Sequence, residues 1–205
     1  MRIRPRLDVV VAAVALVVGA PVLVAFAVVL RHCQGPPALF RQPRLGRGGQ
    51  PFELWKFRTM TDDRNPDGAL LPDAERMTPF GRWLRSTSLD ELPELWNVLR
   101  GDMNLVGPRP LPVAYHDRFT LTEARRMEVR PGLTGWAQIK GRNAVDWDDR
   151  LAMDIWYVDH RSLWLDLHIL VRTVGVVLGR QGVAAEGSAT MPELRRPENG
   201  TPGAQ

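Results

Sequence analysis

The chain has 205 residues, long enough for one domain with a real core and too short for two large ones. Its formal net charge of +4 points to an anionic partner, whether lipid headgroup, nucleotide or nucleic acid. Cys33 is the single cysteine, which excludes an internal disulfide and leaves nothing to suggest a zinc site.

From Val9 to Leu30 no residue is charged, a run of the length that crosses a bilayer as a helix. The basic start MRIRPR and the small residues of Ala25-Phe26-Ala27 also fit a secretory signal, although the apolar run is long for one. Arg2, Arg4 and Arg6 precede the run, and Arg31, Arg41, Arg44 and Arg47 follow it. A single crossing puts one of these basic flanks on the wrong side by the positive-inside rule. Pro21, next to Gly19-Ala20, removes a backbone hydrogen bond and divides the run into two arms of about ten residues, each roughly 15 Å and about half a hydrocarbon core. The expectation is a re-entrant helix, broken near Pro21, that returns both ends to one face. A kinked spanning helix is the alternative.

Past the turn at Gly35 to Pro37, two extended runs, Ala38 to Leu45 and Pro51 to Met60, flank Gly46-Arg47-Gly48-Gly49 and predict a β-hairpin. Lys56 and Arg58 alternate with Trp55 and Phe57, so one strand face is basic and the other apolar; the basic face is either a ligand surface or a solvated one. Thr61 to Met77 is polar, rich in Asp and Pro, and reads as a surface loop.

The stretch TPFGRWLRSTSLDELPELWNVLRGDMNLVGPRP, Thr78 to Pro110, organises the rest. Thr78 and Pro79 read as N-cap and first residue of a short helix that carries Arg82 and Arg85 on one face, a spacing able to hold an anion. Ser88 and Glu91 fit a capping box, which puts Asp90 and Glu91 in a first helical turn where the helix dipole favours their ionised forms. Pro93 suits a helix start equally well, and acidic residues at helix starts often do no more than cap. Leu92, Leu95, Trp96 and Leu99 form an apolar stripe, with Trp96 expected in the core, and Gly101 ends the helix.

Pro112 to Val129 predicts one or two short helices with Arg125 and Arg126 exposed. Arg130-Pro131-Gly132 and Gly141-Arg142-Asn143 read as turns around an extended piece, Trp136 to Ile139. Asp146 caps a helix to about His160, and Ser162 caps an almost wholly apolar one to about Arg180, suited to burial or to a bilayer interface. Residues 184–205 are small, polar and Pro-rich, and predict a disordered tail.

Four runs in order, GPPALFRQPRLGRGGQPFELWKFRTM, the Thr78 to Pro110 stretch, RPGLTGWAQIKGRN and DIWYVDHRSLWLDLHIL, cover most of Gly35 to Gly182. On them the chain resembles the bacterial sugar transferases, the monotopic phosphoglycosyl transferases, in their minimal form. Glu94, Asn104 and Lys140 depart from the residues usual there, and Asp8 lacks the usual Lys-Arg pair before it.

The resemblance implies an α+β fold, mainly helical, with a small β-hairpin, a re-entrant membrane helix over 1–34, interfacial amphipathic helices and a catalytic domain over 35–183. It implies transfer of a sugar phosphate from a nucleotide sugar, of uridine by resemblance, to polyprenyl phosphate on the cytoplasmic face of the bacterial inner membrane. Asp90 is then the nucleophile and Glu91 a magnesium ligand. Arg85 is the expected phosphate clamp, and Lys56, Arg58, Arg109, Arg142 and Asn143 are further candidates for the donor. Nucleic acid is set aside as a partner, because no nucleic-acid module is recognisable. An acylphosphate-forming hydrolase and a non-catalytic scaffold stay open as readings of the same residues.

Overall fold

The computed structural model describes residues 4–140, 145–179 and 193–194. Helix α1, Arg4–Gln34, runs on through Pro21, so the segment expected to break near the proline is one continuous helix with Pro21 inside it. Its N-terminal half packs Ala12, Ala15 and Leu16 into a core with Leu95, Val98, Met103, Leu105 and Ile169. Its C-terminal half packs Leu23, Phe26, Ala27 and Leu30 against Ala38, Phe57 and Leu84. Phe26 stands edge-on to Phe57, Phe80 and Trp83, with ring centroids 6.1, 6.0 and 5.8 Å away. Both halves therefore lie against the rest of the chain, while Val14, Val17, Val18, Val24 and Val28 are exposed, Val17 to 76%.

Strands β1, Leu39–Leu45, and β2, Pro51–Phe57, pair antiparallel as expected, with Phe40 opposite Lys56. Gly48 and Gly49 take φ of 65° and 75° in the connecting turn, where side chains other than hydrogen are strained. The polar excursion that follows includes a short helix, α2, Asp73–Arg76, and is closed at its base by a bridge between Met60 and Met77. Arg76 secures it by donating to the carbonyls of Leu71 and Thr61 at 2.8 and 3.1 Å.

Helix α3, Pro79–Ser86, starts as predicted, with Thr78 Oγ1 accepting from the Gly81 N–H at 3.0 Å. Helix α4, Glu94–Arg100, ends at Gly101 with φ 82°. Fully buried Asn97 fastens α4 to the hairpin: its Oδ1 accepts from the Trp55 N–H at 3.1 Å and its Nδ2 donates to the Glu53 carbonyl at 2.7 Å. That geometry turns Trp96 outward, 45% exposed, where a core position was expected.

Strand β3, Asn104–Val106, runs parallel to β4, Gly132–Thr134, with α5, Leu121–Ala124, between them in sequence. The approach is close enough that a Cβ on Gly107 would lie 2.6 Å from the Arg130 carbonyl oxygen. Residues Trp136–Lys140 form a helix, α6, in place of the extended piece expected. Trp136 and Ile139 both pack on the main core, and a separation of three puts them on one side of a helix but on opposite faces of a strand.

Helices α7, Trp147–His160, and α8, Leu163–Leu178, begin at their predicted caps, Asp146 and Ser162. α8 has two faces: Leu165, Ile169 and Leu170 point into the core, and Leu163, Trp164, Leu167, Val171 and Val174 are exposed, Trp164 to 78%. Within the stretch expected to be disordered, Glu193 and Leu194 are held. Arg118 donates to the Glu193 carboxylate at 2.8 Å and to the Leu194 carbonyl at 2.5 Å, and Leu194 is buried.

Candidate active site

The acidic pair sits between two helices rather than inside one. After α3 the chain passes through Ser88, the one non-glycine residue with positive φ (57°) among those described, and then a single 3₁₀ turn, Leu89–Glu91. The predicted capping box does not form, because α4 starts only after Pro93 and Ser88 makes no side-chain cap hydrogen bond to the turn it precedes. A left-handed Ser88 is mildly strained, and it is the bend that swings Asp90 and Glu91 toward the hairpin.

Glu91 is fully engaged on one oxygen. Lys56 Nζ and Arg109 Nη2 approach its Oε1 to 2.8 and 2.6 Å, and Arg109 Nη1 lies 3.5 Å from Oε2. Burial alone would raise its pKa, but the Arg109 and Lys56 charges reverse this and hold it well below the usual carboxylate range. Lys56 also lies 3.1 Å from Glu94 Oε1. Burial opposes the Lys56 charge, and Glu91 and Glu94 outweigh it to raise its pKa. Glu94, inside the base of α4, is pushed up to about 7, first by burial, with Lys56 pulling against it.

Asp90 differs from its neighbour. Among the described residues no ion pair or hydrogen bond engages its carboxylate. Burial, then the adjacent Glu91 charge, raises it to about 6, with Lys56, Arg85 and Arg109 opposing. The helix dipole was expected to favour ionisation; instead burial weakens it. That value lies below 7, so Asp90 is mainly ionised at neutral pH.

Arg85 falls where a clamp is useful. Its Nε donates to Thr59 Oγ1 at 2.9 Å, which orients the group, while no described residue takes its two terminal nitrogens. Arg58 is turned away from the acidic pair: it is buried, pairs with Asp62 at 2.8 Å, and donates to the carbonyls of Gln34 and Gly35 at the end of α1. It thus ties the N-terminal helix to the hairpin, since the last carbonyls of a helix need donors. Lys56 and Arg109 meet at Glu91, whereas Arg142 and Asn143 lie outside the described residues.

Three residues of the site had no clear signal in the sequence. Arg44, two positions from its partner Gln42 on β1, reaches the Pro110 carbonyl at 3.3 Å. Burial and the Arg109 charge lower its pKa to about 10. Arg126, expected at the surface, is 3% exposed and pairs with buried Asp154 at 2.7 Å. The strand alternation of Gln42 and Arg44 could have flagged the first; nothing local links the other two.

Among the described residues no three His, Cys, Asp or Glu side chains gather to hold a metal ion. A magnesium ion that takes most of its ligands from water and substrate phosphates needs only one or two carboxylates, and Glu91 would be the one to hold it. Glu91 Oε2, with its single 3.5 Å contact, is the oxygen left to offer.

Beside this pair of carboxylates the chain carries, among the described residues, one helix long and apolar enough to cross a membrane. The chain belongs to the bacterial sugar transferase family, whose model matches residues 2–180. It is 50% identical over 180 residues to a Bacillus subtilis protein named only as an uncharacterized sugar transferase, covering 87% of this chain and 89% of the relative. A Caulobacter vibrioides protein named UDP-glucose:undecaprenyl-phosphate glucose-1-phosphate transferase is 46% identical over 84% of this chain and 68% of its own length. A Salmonella typhimurium undecaprenyl-phosphate galactose phosphotransferase is 37% identical over 85% of this chain, which spans 40% of that longer protein.

Proposed function

We propose that this protein transfers a sugar 1-phosphate from a uridine diphosphate sugar to polyprenyl phosphate through a covalent intermediate on Asp90. The observation that carries this is the contrast between neighbouring carboxylates: Glu91 is spent on Lys56 and Arg109, and Asp90 keeps its oxygens uncommitted among the described residues. The substrate classes follow the names of the Caulobacter and Salmonella relatives.

In the first step an Asp90 oxygen bonds to the sugar-bearing phosphorus. The bond from that phosphorus to the bridging oxygen breaks, and nucleoside monophosphate leaves with the electron pair. In the second, an oxygen of polyprenyl phosphate attacks the same phosphorus and the pair returns to Asp90, giving polyprenyl diphosphate sugar. Such transfers depend chiefly on alignment and charge neutralisation. Arg85 is suited to clamp a donor phosphate, and magnesium held at Glu91 would neutralise charge on the same phosphates.

The packing of α1 at both ends against the rest of the chain supports a course that does not cross, on the cytoplasmic face of the inner membrane. From Ala12 to Leu30 the helix rises about 27 Å, nearly a full hydrocarbon core of about 30 Å. Both ends of that span touch the elements that carry the site. A straight crossing would drag the Lys56, Glu91 and Arg109 charges into lipid, at a cost of several kcal/mol or more each.

The test is a single turnover without acceptor. Enzyme, nucleotide sugar and magnesium should release about one equivalent of nucleoside monophosphate and add the mass of one phosphosugar to the peptide holding Asp90. An unmodified Asp90 in enzyme trapped mid-turnover overturns the proposal.

A further inference from the structure

We infer that Arg126 is a positioning residue: it fixes the backbone of Arg109 and so the angle at which the Arg109 guanidinium meets Glu91. This rests on the reading of Asp90 and Glu91 as the centre of the transfer.

The loop Gly107-Pro108-Arg109-Pro110 has little with which to hold itself, since each proline lacks an N–H. It is held from outside instead, by four consecutive carbonyls that accept from three other segments, β1 supplying two of the donors. Pro108 accepts from the Gly132 N–H at 3.0 Å, Arg109 from Arg126 Nη2 at 2.7 Å, Pro110 from Arg44 Nη1 at 3.3 Å, and Leu111 from the Leu45 N–H at 2.9 Å. Of the four donors, Arg126 acts on the residue whose own side chain reaches the acidic pair.

Arg126 is itself held on a buried partner. Its Nε and Nη2 both donate to Asp154 Oδ2, at 3.1 and 2.7 Å, and each side chain of the pair is 3% exposed. A buried ion pair is a poor stabiliser by comparison with apolar side chains of the same volume, so burial alone gives no reason for it. The Arg109 carbonyl does. Nη2 bonds the Asp154 carboxylate and that carbonyl together, which links α7 through one guanidinium to the loop that aims Arg109.

The test separates aim from packing. Arg126→Lys keeps the charge facing Asp154 and loses the fork that serves the carbonyl as well. The expected result is an unchanged melting temperature and a nucleoside monophosphate burst slowed about tenfold, the size of one charge-assisted hydrogen bond. Amide exchange should quicken in the peptide over 104–111 and stay as it was in α7. In an Arg109→Ala background the same change should slow the burst no further, because two residues acting through one contact are not additive. An undiminished burst, an equal further loss in that background, or faster exchange in α7 with none in the loop overturns the inference. If Arg126→Lys does not fold, Arg126→Met, which leaves Asp154 the neighbouring charge of Arg150, carries the same expectations. Absence of any burst from the unaltered enzyme would instead sink the reading of the function.

Discussion

The polar corner around Glu91 and the bare sides of α1 and α8 invert the usual distribution of residues in opposite ways. In the corner, Lys56, Glu94, Arg126 and Asp154 are withdrawn from solvent, each beside an opposite charge. On the helices, Val17, Val18, Trp164 and Val171 face outward, though soluble proteins seldom leave long contiguous apolar faces uncovered. Water is a poor solvent for the second region, and bare lipid for the first. The pair makes sense together if the apolar faces lie in a bilayer and hold a charged corner at headgroup depth, where the phosphate of the proposed lipid acceptor would lie.

The largest effect should come from the one carboxylate in the corner without a described partner. Asp90→Asn keeps size and polarity but removes the attacking charge, and the burst should fall by about four orders of magnitude or more. Measurable turnover at the ordinary rate would show that this corner is only structural. In the unaltered enzyme the burst rate should follow ionisation of Asp90. Its pKa is raised to about 6, so it holds its proton to higher pH than an ordinary carboxyl, and activity should be lost as pH falls through about 6. Because the Arg85 charge helps to hold that value down, Arg85→Ala should move the acid limb upward, as pH profiles of the two enzymes would reveal.

The apolar side of the comparison is tested next. Val171→Asp on the exposed face of α8 should be nearly neutral, within about 0.5 kcal/mol, if that face meets water. If it meets lipid, vesicle binding should weaken and transfer to a long-chain polyprenyl phosphate should drop roughly thirtyfold, given about 2 kcal/mol or more for a charge in hydrocarbon. The burst from donor alone should be untouched. Equal losses on both measurements would mean the substitution had damaged the fold.

How much of this could be read from the residues depended on distance along the chain. The caps at Thr78, Asp146 and Ser162 were legible because each side chain serves an N–H three residues away. The hairpin and the stop at Gly101 were legible for the same local reason. Arg126 was not, because its partner Asp154 lies 28 residues on and its carbonyl acceptor 17 residues back. Arg58 misled by strand alternation, which assigns a face but says nothing of a helix end waiting there with unpaired carbonyls. Asp90 is a carboxylate at neutral pH as the dipole of one helix suggests, but its rise to about 6 was not legible, because the burial behind it comes from every element packed around the turn.

The smallest expected effect sharpens the contrast inside the corner itself. Glu94 is raised to about 7 from an ordinary value of 4.5, so its contribution to stability is fully present below about pH 4.5 and is lost as pH rises through 7. Glu91 is shifted the other way, so its contribution is present above 4.5 and lost only as pH falls. Glu94→Gln should therefore leave the melting temperature alone at pH 4.5 and raise it at pH 8, by about 1 to 2 kcal/mol or roughly 3–6 °C. Glu91→Gln should lower it at pH 8, since Lys56 and Arg109 would lose the charge they share. Thermal melts of both variants at the two pH values decide the matter, and shifts of the same sign at pH 8 would mean that the two buried carboxylates are not the opposites this packing makes them.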